Sequence, residues 1–113
     1  MDKIAHYQTL IKNILTEYNQ LTNNSPTPEV ETILAFDDEH NQYIWFQVGW
    51  TKKERIRGIT IHVQIKNHKI WIEEDWTEEG IANDLVNAGV PRNDIVLGFH
   101  PPEIRCHTDF AVA

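Results

Sequence analysis

The residues with the chemistry to bind a metal or act in catalysis gather near the C-terminal end of the chain. His100, Cys106 and His107 lie close together in sequence, and imidazole and thiolate are both good zinc ligands. Cys106 and His107 are adjacent, however, so their side chains diverge on an extended chain. No other spacing completes a ligand set. We therefore expect no metal or other cofactor, and we expect His100 to form a hydrogen bond to the backbone near Pro101-Pro102.

A run of acidic residues around Trp76 could supply a carboxylate pair for acid–base work. It comprises Glu73, Glu74, Asp75, Glu78 and Glu79. Acids at the start of a helix are also what the helix dipole favours, and the chain contains none of the common nucleotide-binding, metalloprotease or hydrolase motifs. We therefore predict that the protein is not an enzyme. The alternative is a small hydrolase that uses His100 and an acidic residue.

One basic cluster, formed by Lys52, Lys53, Arg55 and Arg57, suggests a second alternative, a direct nucleic-acid-binding module. Tyr43 and Trp45 would then provide stacking platforms. The formal net charge of −7 opposes this interpretation, because nucleic-acid backbones are polyanions. We favour a protein or a small molecule as partner and a solvated hairpin tip for these residues.

The elements that must position these groups follow from hydrophobic periodicity. With 113 residues and 41% hydrophobic content, the chain is predicted to be one domain, residues 1–113, with a single core. Apolar residues three and four apart predict an amphipathic helix over 3–21, capped by Asp2. A polar breaker at 23–28 contains Pro26 and Pro28. Four strands follow, predicted over 30–36, 43–50, 55–66 and 69–74.

Two hairpins define the expected strand register. Pairing Trp50 with Arg55, and Lys66 with Lys69 across a tight Asn67-His68 turn, aligns apolar residues throughout. This register places Ile44, Phe46, Val48 and Ile59 in the core. It places an aromatic set on the opposite face: Tyr43, Trp45 and Trp71, together with His62 and with Trp76 nearby. That face either is covered by the tail or first helix, or is an exposed surface for a partner or a second copy.

A second helix is predicted after Asp75 or Thr77, either of which could cap it, with Glu78 and Glu79 in its first turn. Gly89 and Val90 predict a Schellman stop. A short apolar strand over 95–99 follows, and His100-Pro101-Pro102 is expected to leave extended. The fold class is therefore α+β: an N-terminal amphipathic helix, an antiparallel four-stranded meander, a second helix, a short fifth strand and an extended C-terminal tail.

The compartment expected is the cytoplasm. The chain has one cysteine, Cys106, so an internal disulfide is excluded. Its N-terminal pattern is charged and amphipathic, without a signal-peptide core or an apolar run of transmembrane length.

The chain resembles the XisI family, the fdxN element excision controlling factor proteins. The most specific matching stretch is GVPRNDIVLGFHPP (residues 89–102) with the terminal FAVA, and the resemblance extends through KIWIEEDWTEEGIANDLV and the N-terminal helix. Trp76 and Asp109 depart from the pattern, since members commonly carry Gly at both positions.

The resemblance implies an accessory role in cyanobacterial DNA-element excision and site-specific recombination. A separate recombinase would exchange the strands, and the XisI-like protein would act with a nuclease-like XisH-type companion. Direct DNA contact is then not expected, and a homodimer is a secondary expectation. The residues predicted to contact the partner are Tyr43, Trp45, His62, Trp71, His100, Pro101, Pro102 and Arg105.

Overall fold

The computed structural model describes residues 2–23, 29–78 and 80–113. Most of the predicted breaker, at 24–28, and Glu79 lie outside the described residues. The elements are α1 (Lys3–Asn23), β1 (Val30–Asp37), β2 (Gln42–Thr51), β3 (Glu54–Lys66), β4 (Lys69–Asp75), α2 (Ile81–Asn87), a 3-10 turn (Arg92–Asp94), β5 (Ile95–Leu97) and α3 (Pro102–Arg105).

The first helix forms as predicted and supplies one layer of the protein. The Asp2 carboxylate accepts a hydrogen bond from the Ile4 amide at 3.0 Å and so caps α1. The apolar stripe buries Tyr7, Ile11 and Leu15 in the core. No helix in the described part of the chain is long and apolar enough to cross a membrane.

The second layer is one five-stranded sheet in the order β1-β2-β3-β4-β5. The first four strands pair antiparallel with their neighbours, as predicted. The predicted four-stranded meander is nevertheless incomplete as a description of the sheet, because β5 joins it parallel to β4. The parallel direction follows from the intervening α2, which provides the crossover that parallel strands need.

The hairpin between β3 and β4 has the predicted register at its turn. Asn67 and His68 both have positive φ, at 55° and 64°, which is the geometry of a type I′ turn. Lys66 pairs with Lys69, and Ile65 with Ile70. Beyond Val63 the register shifts, so His62 pairs with Glu74, whereas continuing the Lys66–Lys69 register without a shift would pair it with Glu73.

The register predicted for β2 and β3 is correct only at the turn. Phe46 pairs with Ile59 as expected, but the ladder then shifts and Trp45 pairs with Ile61. Thr60 is the extra residue of this β-bulge. Because strand side chains alternate between faces, one inserted residue moves Ile59 and Ile61 to opposite faces.

The bulge reverses the predicted faces of β2. Tyr43 and Trp45 were expected on the outer face, but their exposed fractions are 0% and 7%, and both pack in the core beneath α1. Ile59 was expected in the core but is 38% exposed. Ile44 and Phe46 lie on the side of the sheet away from α1, where Ile44 pairs with His62.

The second helix begins later than predicted but ends as predicted. Gly80 is the N-cap and carries no side-chain cap. The Asp75 carboxylate instead accepts the Ile81 amide at 2.7 Å, so it stabilises the first turn from a distance. At the other end, Gly89 has φ 100°. Its amide donates to Val86, and the Val90 amide donates to Leu85, which completes the Schellman motif.

The C-terminal segment is not wholly extended, contrary to the prediction. Pro101 is extended, with φ −65° and ψ 154°, but Pro102 begins the short helix α3. Proline suits the first helical position because its missing N–H would have no partner there. The chain then returns to the sheet, where Ala111 forms a parallel bridge with Val96.

Asp94 joins α1 to the turn before β5. Its carboxylate accepts the Tyr7 hydroxyl at 2.5 Å and pairs with the Lys3 ammonium at 2.9 Å. Burial alone raises the pKa of Asp94, but the hydrogen bonds from Tyr7 and Lys3 outweigh it and hold the pKa below its usual value. Burial, together with the bond to Asp94, raises the pKa of Tyr7.

We expect Asp94→Asn to lower the free energy of unfolding at pH 7 by about 1–3 kcal/mol, because it removes charge-assisted hydrogen bonds. A depressed carboxyl pKa stabilises the fold above the ordinary value of about 4, and this stabilisation is lost as pH falls through the folded-state pKa. The difference between wild type and variant should therefore shrink in acid. Urea denaturation at pH 7 and pH 3 measures it.

Asp109→Asn, at an exposed position, is the matched control and should change little at either pH. An Asp94→Asn penalty of the same size at both pH values would contradict this account of the ionised pair.

Candidate functional site

An open cleft of about 430 Å³ lies where α1 ends over the sheet. Its walls come from the last turns of α1, from β1, β2 and β3, and from the residue that follows β4. The lining residues are Thr22, Thr32, Trp45, Gln47, Gly58, Ile59, Thr60 and Trp76.

The inner wall of the cleft is fixed by Asn19 of α1. Its side-chain oxygen accepts the Thr32 hydroxyl at 2.7 Å and the Trp45 indole N–H at 3.2 Å. One amide therefore ties the helix to β1 and β2. The Trp45 ring also packs against Tyr18, with ring centroids 5.9 Å apart.

The outer wall is the side chain of Trp76, which is 76% exposed. The Trp76 amide donates to the Thr60 carbonyl at 2.9 Å, so the bulge in β3 is bonded to the residue after β4. Its indole N–H donates to the Glu74 carboxylate at 3.0 Å. The Trp76 main chain and indole N–H are thus both hydrogen-bonded, and the two faces of the indole ring remain available for contact.

The chemistry of the lining suits binding better than proton transfer. Hydroxyl, amide and indole groups line the cleft, and none of its lining residues carries an ionisable side chain. A general acid or base must lie within hydrogen-bond reach of the reacting atom. The cleft therefore offers apolar surface with a few hydrogen-bonding groups, which is typical of a recognition site.

The sequence-predicted His62 belongs to a different feature, a row of polar side chains on the sheet face away from α1. The His62 ring nitrogen lies 2.8 Å from the Gln42 oxygen. The Gln42 amide donates to Gln64 at 3.0 Å, and Gln64 donates to the Glu73 carboxylate. This row crosses β2, β3 and β4. The two glutamines were missed from the sequence alone, although Gln64 lies two residues from His62 on the same alternation of β3.

The predicted site residues His100 and Arg105 hold the C-terminal segment together. The Arg105 Nε donates to the His100 carbonyl at 2.9 Å and its Nη2 to the Gly98 carbonyl at 3.4 Å. The His100 ring packs against Phe99, with centroids 4.5 Å apart. Pro101 and Pro102 are exposed at the start of α3.

Trp71 is covered, not exposed. It is 7% exposed, and the Lys66 ammonium and the Arg105 guanidinium lie 4.0 Å and 5.2 Å from its ring centroid. The predicted aromatic face is therefore divided. Tyr43 and Trp45 pack under α1, Trp71 lies under cations on the other face, and Trp76 alone of the four is exposed.

The basic cluster at the hairpin of β2 and β3 is exposed at all four positions: Lys52, Lys53, Arg55 and Arg57. None of the salt bridges among the described residues involves them. The predicted stacking partners Tyr43 and Trp45 are buried and cannot serve. The exposed aromatic residue beside the cluster is Trp50, 53% exposed, whose ring lies 5.6 Å from the Arg55 guanidinium.

Two further clusters have structural explanations. Asp37, Glu39 and His40 bring potential ligand atoms within 4.8 Å of one another, and all three are exposed. The Asp37 carboxylate accepts the His40 ring N–H at 2.7 Å and the Glu39 and His40 amides, and the His40 hydrogen bond lowers the pKa of Asp37. This is a hydrogen-bonded hairpin turn. Cys106 is exposed and its thiol donates to the Glu103 carbonyl.

The fold defines a small two-layer α+β protein, a helix layer on one face of a five-stranded sheet, with an open cleft where α1 ends. The chain matches the family described as XisI protein over residues 1–112. It therefore belongs to the XisI family.

Two solved structures from Anabaena variabilis ATCC 29413 are similar over nearly the whole chain. One is the fdxN element excision controlling factor XisI, at 42% identity and a TM-score of 0.87, with 99% of this chain and 100% of that chain covered. The other is a XisI-like protein at 42% identity and a TM-score of 0.90, with 97% and 99% covered. No curated protein matches the chain.

We expect Arg105→Ala to lower the free energy of unfolding by about 1–3 kcal/mol, because charge-assisted hydrogen bonds and a stacked cation are lost together. Amide exchange at Gly98 and His100 should accelerate in the same variant. Urea denaturation and NMR-detected exchange provide the measurements.

Arg55→Ala is the matched control, since Arg55 also lies against an indole but at an exposed site. It should change stability little. Equal losses in the two variants would show that stacking on tryptophan, and not the bonds to Gly98 and His100, accounts for the effect.

Proposed function

We propose that this protein is a non-enzymatic accessory protein of a DNA-element excision system. It acts in the cytoplasm by binding a nuclease-like XisH-type companion and so controls site-specific recombination carried out by a separate recombinase. The relative of known structure at 42% identity is an fdxN element excision controlling factor, which supports extending that role to this chain.

The observation that carries the proposal is the pairing of an uncharged cleft with the exposed indole of Trp76. Large aromatic side chains that stay exposed are expensive in water, and tryptophan is enriched at the energetic centres of protein interfaces. The lining residues contribute contact and hydrogen bonding but no titratable group. A protein surface is thus a better match for the cleft than a substrate awaiting proton transfer.

Charge supports the same type of partner. The net charge of −7 favours association with a basic protein and raises the rate of their encounter at low salt. Glu74 adds a carboxylate at the rim of the cleft, where it accepts the Trp76 indole N–H.

The alternative hydrolase finds no comparable support. A hydrolase that uses His100 and an acidic residue would be favoured if His100, His62 and a carboxylate converged in a deep pocket. His62 instead lies against Gln42 on the sheet face away from α1, and the His100 ring packs against Phe99. Neither residue lines the cleft.

We expect Trp76→Ala to weaken binding of the co-expressed XisH-type companion at least about tenfold, the typical loss when an interface hot spot is truncated. Because Trp76 is 76% exposed, the fold should lose little stability. Gel filtration of the co-expressed pair and calorimetric titration of the purified proteins measure the effect.

Trp50→Ala is the control, since Trp50 is also an exposed indole, at 53%, but lies outside the cleft. It should bind like wild type. Separate elution of the wild-type proteins at low salt would contradict the proposal. Equally weakened binding by both variants would show that the cleft is not the binding site.

A second candidate function, direct binding of nucleic acid, is favoured by one observation. The exposed Trp50 lies beside Arg55 in a cluster of four exposed basic residues, and an aromatic ring among cations is the usual platform for single strands. The overall negative charge works against it.

We expect no binding of a single-stranded oligonucleotide by wild type at about 150 mM salt, a concentration at which screening leaves few long-range contacts. Fluorescence anisotropy at low and physiological salt tests this. If instead wild type binds with steep salt dependence, and Lys52→Glu combined with Arg55→Glu abolishes binding, nucleic acid becomes the primary ligand.

A further inference from the structure

The two edges of the sheet differ in whether another segment of the described chain covers them. At one edge β5 spans only Ile95–Leu97, and the returning chain covers it: Ala111 bridges Val96, and the Ala111 amide donates to Ile95 at 2.8 Å. At the other edge lies β1, Val30–Asp37, an eight-residue strand.

Among the described residues, β1 carries the charged Glu31 and Asp37 but lacks other common protections of an exposed edge. Edge strands commonly carry Lys or Pro, or a bulge that interrupts regular pairing. The β1 sequence VETILAFD has neither residue, and its register with β2 runs without a shift. Its length and regularity make it a template on which another strand could pair.

The hydrogen-bonding pattern identifies which backbone groups face outward. The Trp50 amide donates to the Glu29 carbonyl at 3.0 Å, so Glu29 bonds toward β2. Antiparallel ladders alternate bonded and non-bonded pairs, and the register is continuous. The odd-numbered residues of β1 therefore bond to β2, and the N–H and C=O groups of Leu34 and Phe36 point away from the sheet.

These outward groups are open in the described part of the chain. No described residue forms a hydrogen bond to the main chain of Leu34 or Phe36 on that side. Their side chains lie on the helix-covered face, where Leu34 is half-buried against the core and Phe36 is 37% exposed. An added strand would meet two open N–H donors, two open C=O acceptors and part of an apolar ring.

A second copy of this chain is a poor occupant of the edge. Paired residues must lie on the same face, so twofold pairing of β1 with itself must be centred on a residue, and the two registers that pair most of the strand are centred on Ile33 and on Leu34. The first register sets Glu29 opposite Asp37, and the second sets Glu31 opposite Asp37. Each places like charges opposite one another twice, which destabilises a pair of strands.

We propose that the edge of β1 at Leu34 and Phe36 pairs with an extended segment of a basic partner protein. The segment carries Lys or Arg on the face shared with Glu31 and Asp37 and apolar residues on the face next to Phe36. This mode is strand addition, in which main-chain bonds supply affinity and alternate side chains supply specificity. It rests on the proposed function, because it specifies how a partner would be held.

The first test uses a synthetic octapeptide of alternating Lys and Val, acetylated and amidated at its ends, with a Glu-Val octapeptide as the matched control. Amide hydrogen exchange of full-length protein is followed by NMR. The Lys-Val peptide should slow exchange at Leu34 and Phe36 about tenfold at saturation, because paired edge amides become protected. The Glu-Val peptide should leave it unchanged.

The second test compares Phe36→Pro with Phe36→Ala. Both variants lose the ring contact with Tyr43, which has centroids 5.9 Å apart, but only proline removes an outward N–H. Proline is tolerated in edge strands where the N–H faces solvent. Phe36→Pro should raise the dissociation constant of the Lys-Val peptide about tenfold over Phe36→Ala.

Glu31→Lys serves as a second variant that leaves the backbone intact, since Glu31 is exposed. This variant should bind the Lys-Val peptide more weakly than wild type does, and it should bind the Glu-Val peptide. If Phe36→Pro and Phe36→Ala bind alike, if both peptides bind equally, or if neither protects Leu34, the inference is overturned. A wild-type dimer that Phe36→Pro dissociates would also overturn it, by assigning the edge to a second copy.

The same variants separate this inference from the proposed function. If the XisH-type companion binds Phe36→Pro and Phe36→Ala equally well but does not bind Trp76→Ala, the accessory role is supported and the edge pairing is wrong. If the Lys-Val peptide protects the Leu34 amide but the companion does not bind wild type, the edge pairing is supported and the proposed binding of an XisH-type companion is wrong.

Discussion

The pairing of Trp45 with Ile61, set by the extra residue Thr60 in β3, is the contact on which the helix layer depends. It turns Tyr43 and Trp45 of β2 toward α1, where both become part of the core. Asn19 can then accept the Trp45 indole N–H and the Thr32 hydroxyl together. Without the bulge, Trp45 would point to the other face of the sheet, and the cleft would lose the hydrogen bond that joins Trp45 to Asn19 of α1.

The opposite face of the sheet is organised by hydrogen bonds and cations. His62, Gln42, Gln64 and Glu73 form a row across three strands, and Gly98 leaves room for the end of that row, because a Cβ there would lie 2.1 Å from the Glu73 carboxylate. Beyond it, Arg105 holds the returning chain against Trp71. The edge of the sheet at β5 is thereby covered, whereas no strand among the described residues pairs with the outer edge of β1.

These features bear on function through what they leave available. Among the described ionisable residues that invited a catalytic interpretation, Glu73 lies in the polar row, Asp75 bonds to the first turn of α2, and the His100 ring packs against Phe99. In the described part of the chain, two surfaces that could bind a partner involve β1: an uncharged cleft with an exposed indole, and a regular strand edge. Surfaces of this kind recognise other molecules through shape and main-chain bonding. The chain belongs to the XisI family, and one relative of known structure is an fdxN element excision controlling factor.

The sequence by itself determined the local elements: α1 with its Asp2 cap, the Asn67-His68 turn, the Schellman stop at Gly89 and the antiparallel order of four strands. Each depends on residues near one another in the chain, so periodicity, capping and turn chemistry were sufficient. Of the cleft residues, only Trp45 and Trp76 were singled out, and Trp45 was assigned to the wrong face. Only the tertiary structure decided that face, the parallel entry of β5 and the return of the tail. Both faces of β2 carry large apolar side chains, so periodicity could not show which face is buried under α1. That face was determined by the single extra residue in β3 and by the packing of a helix distant in sequence.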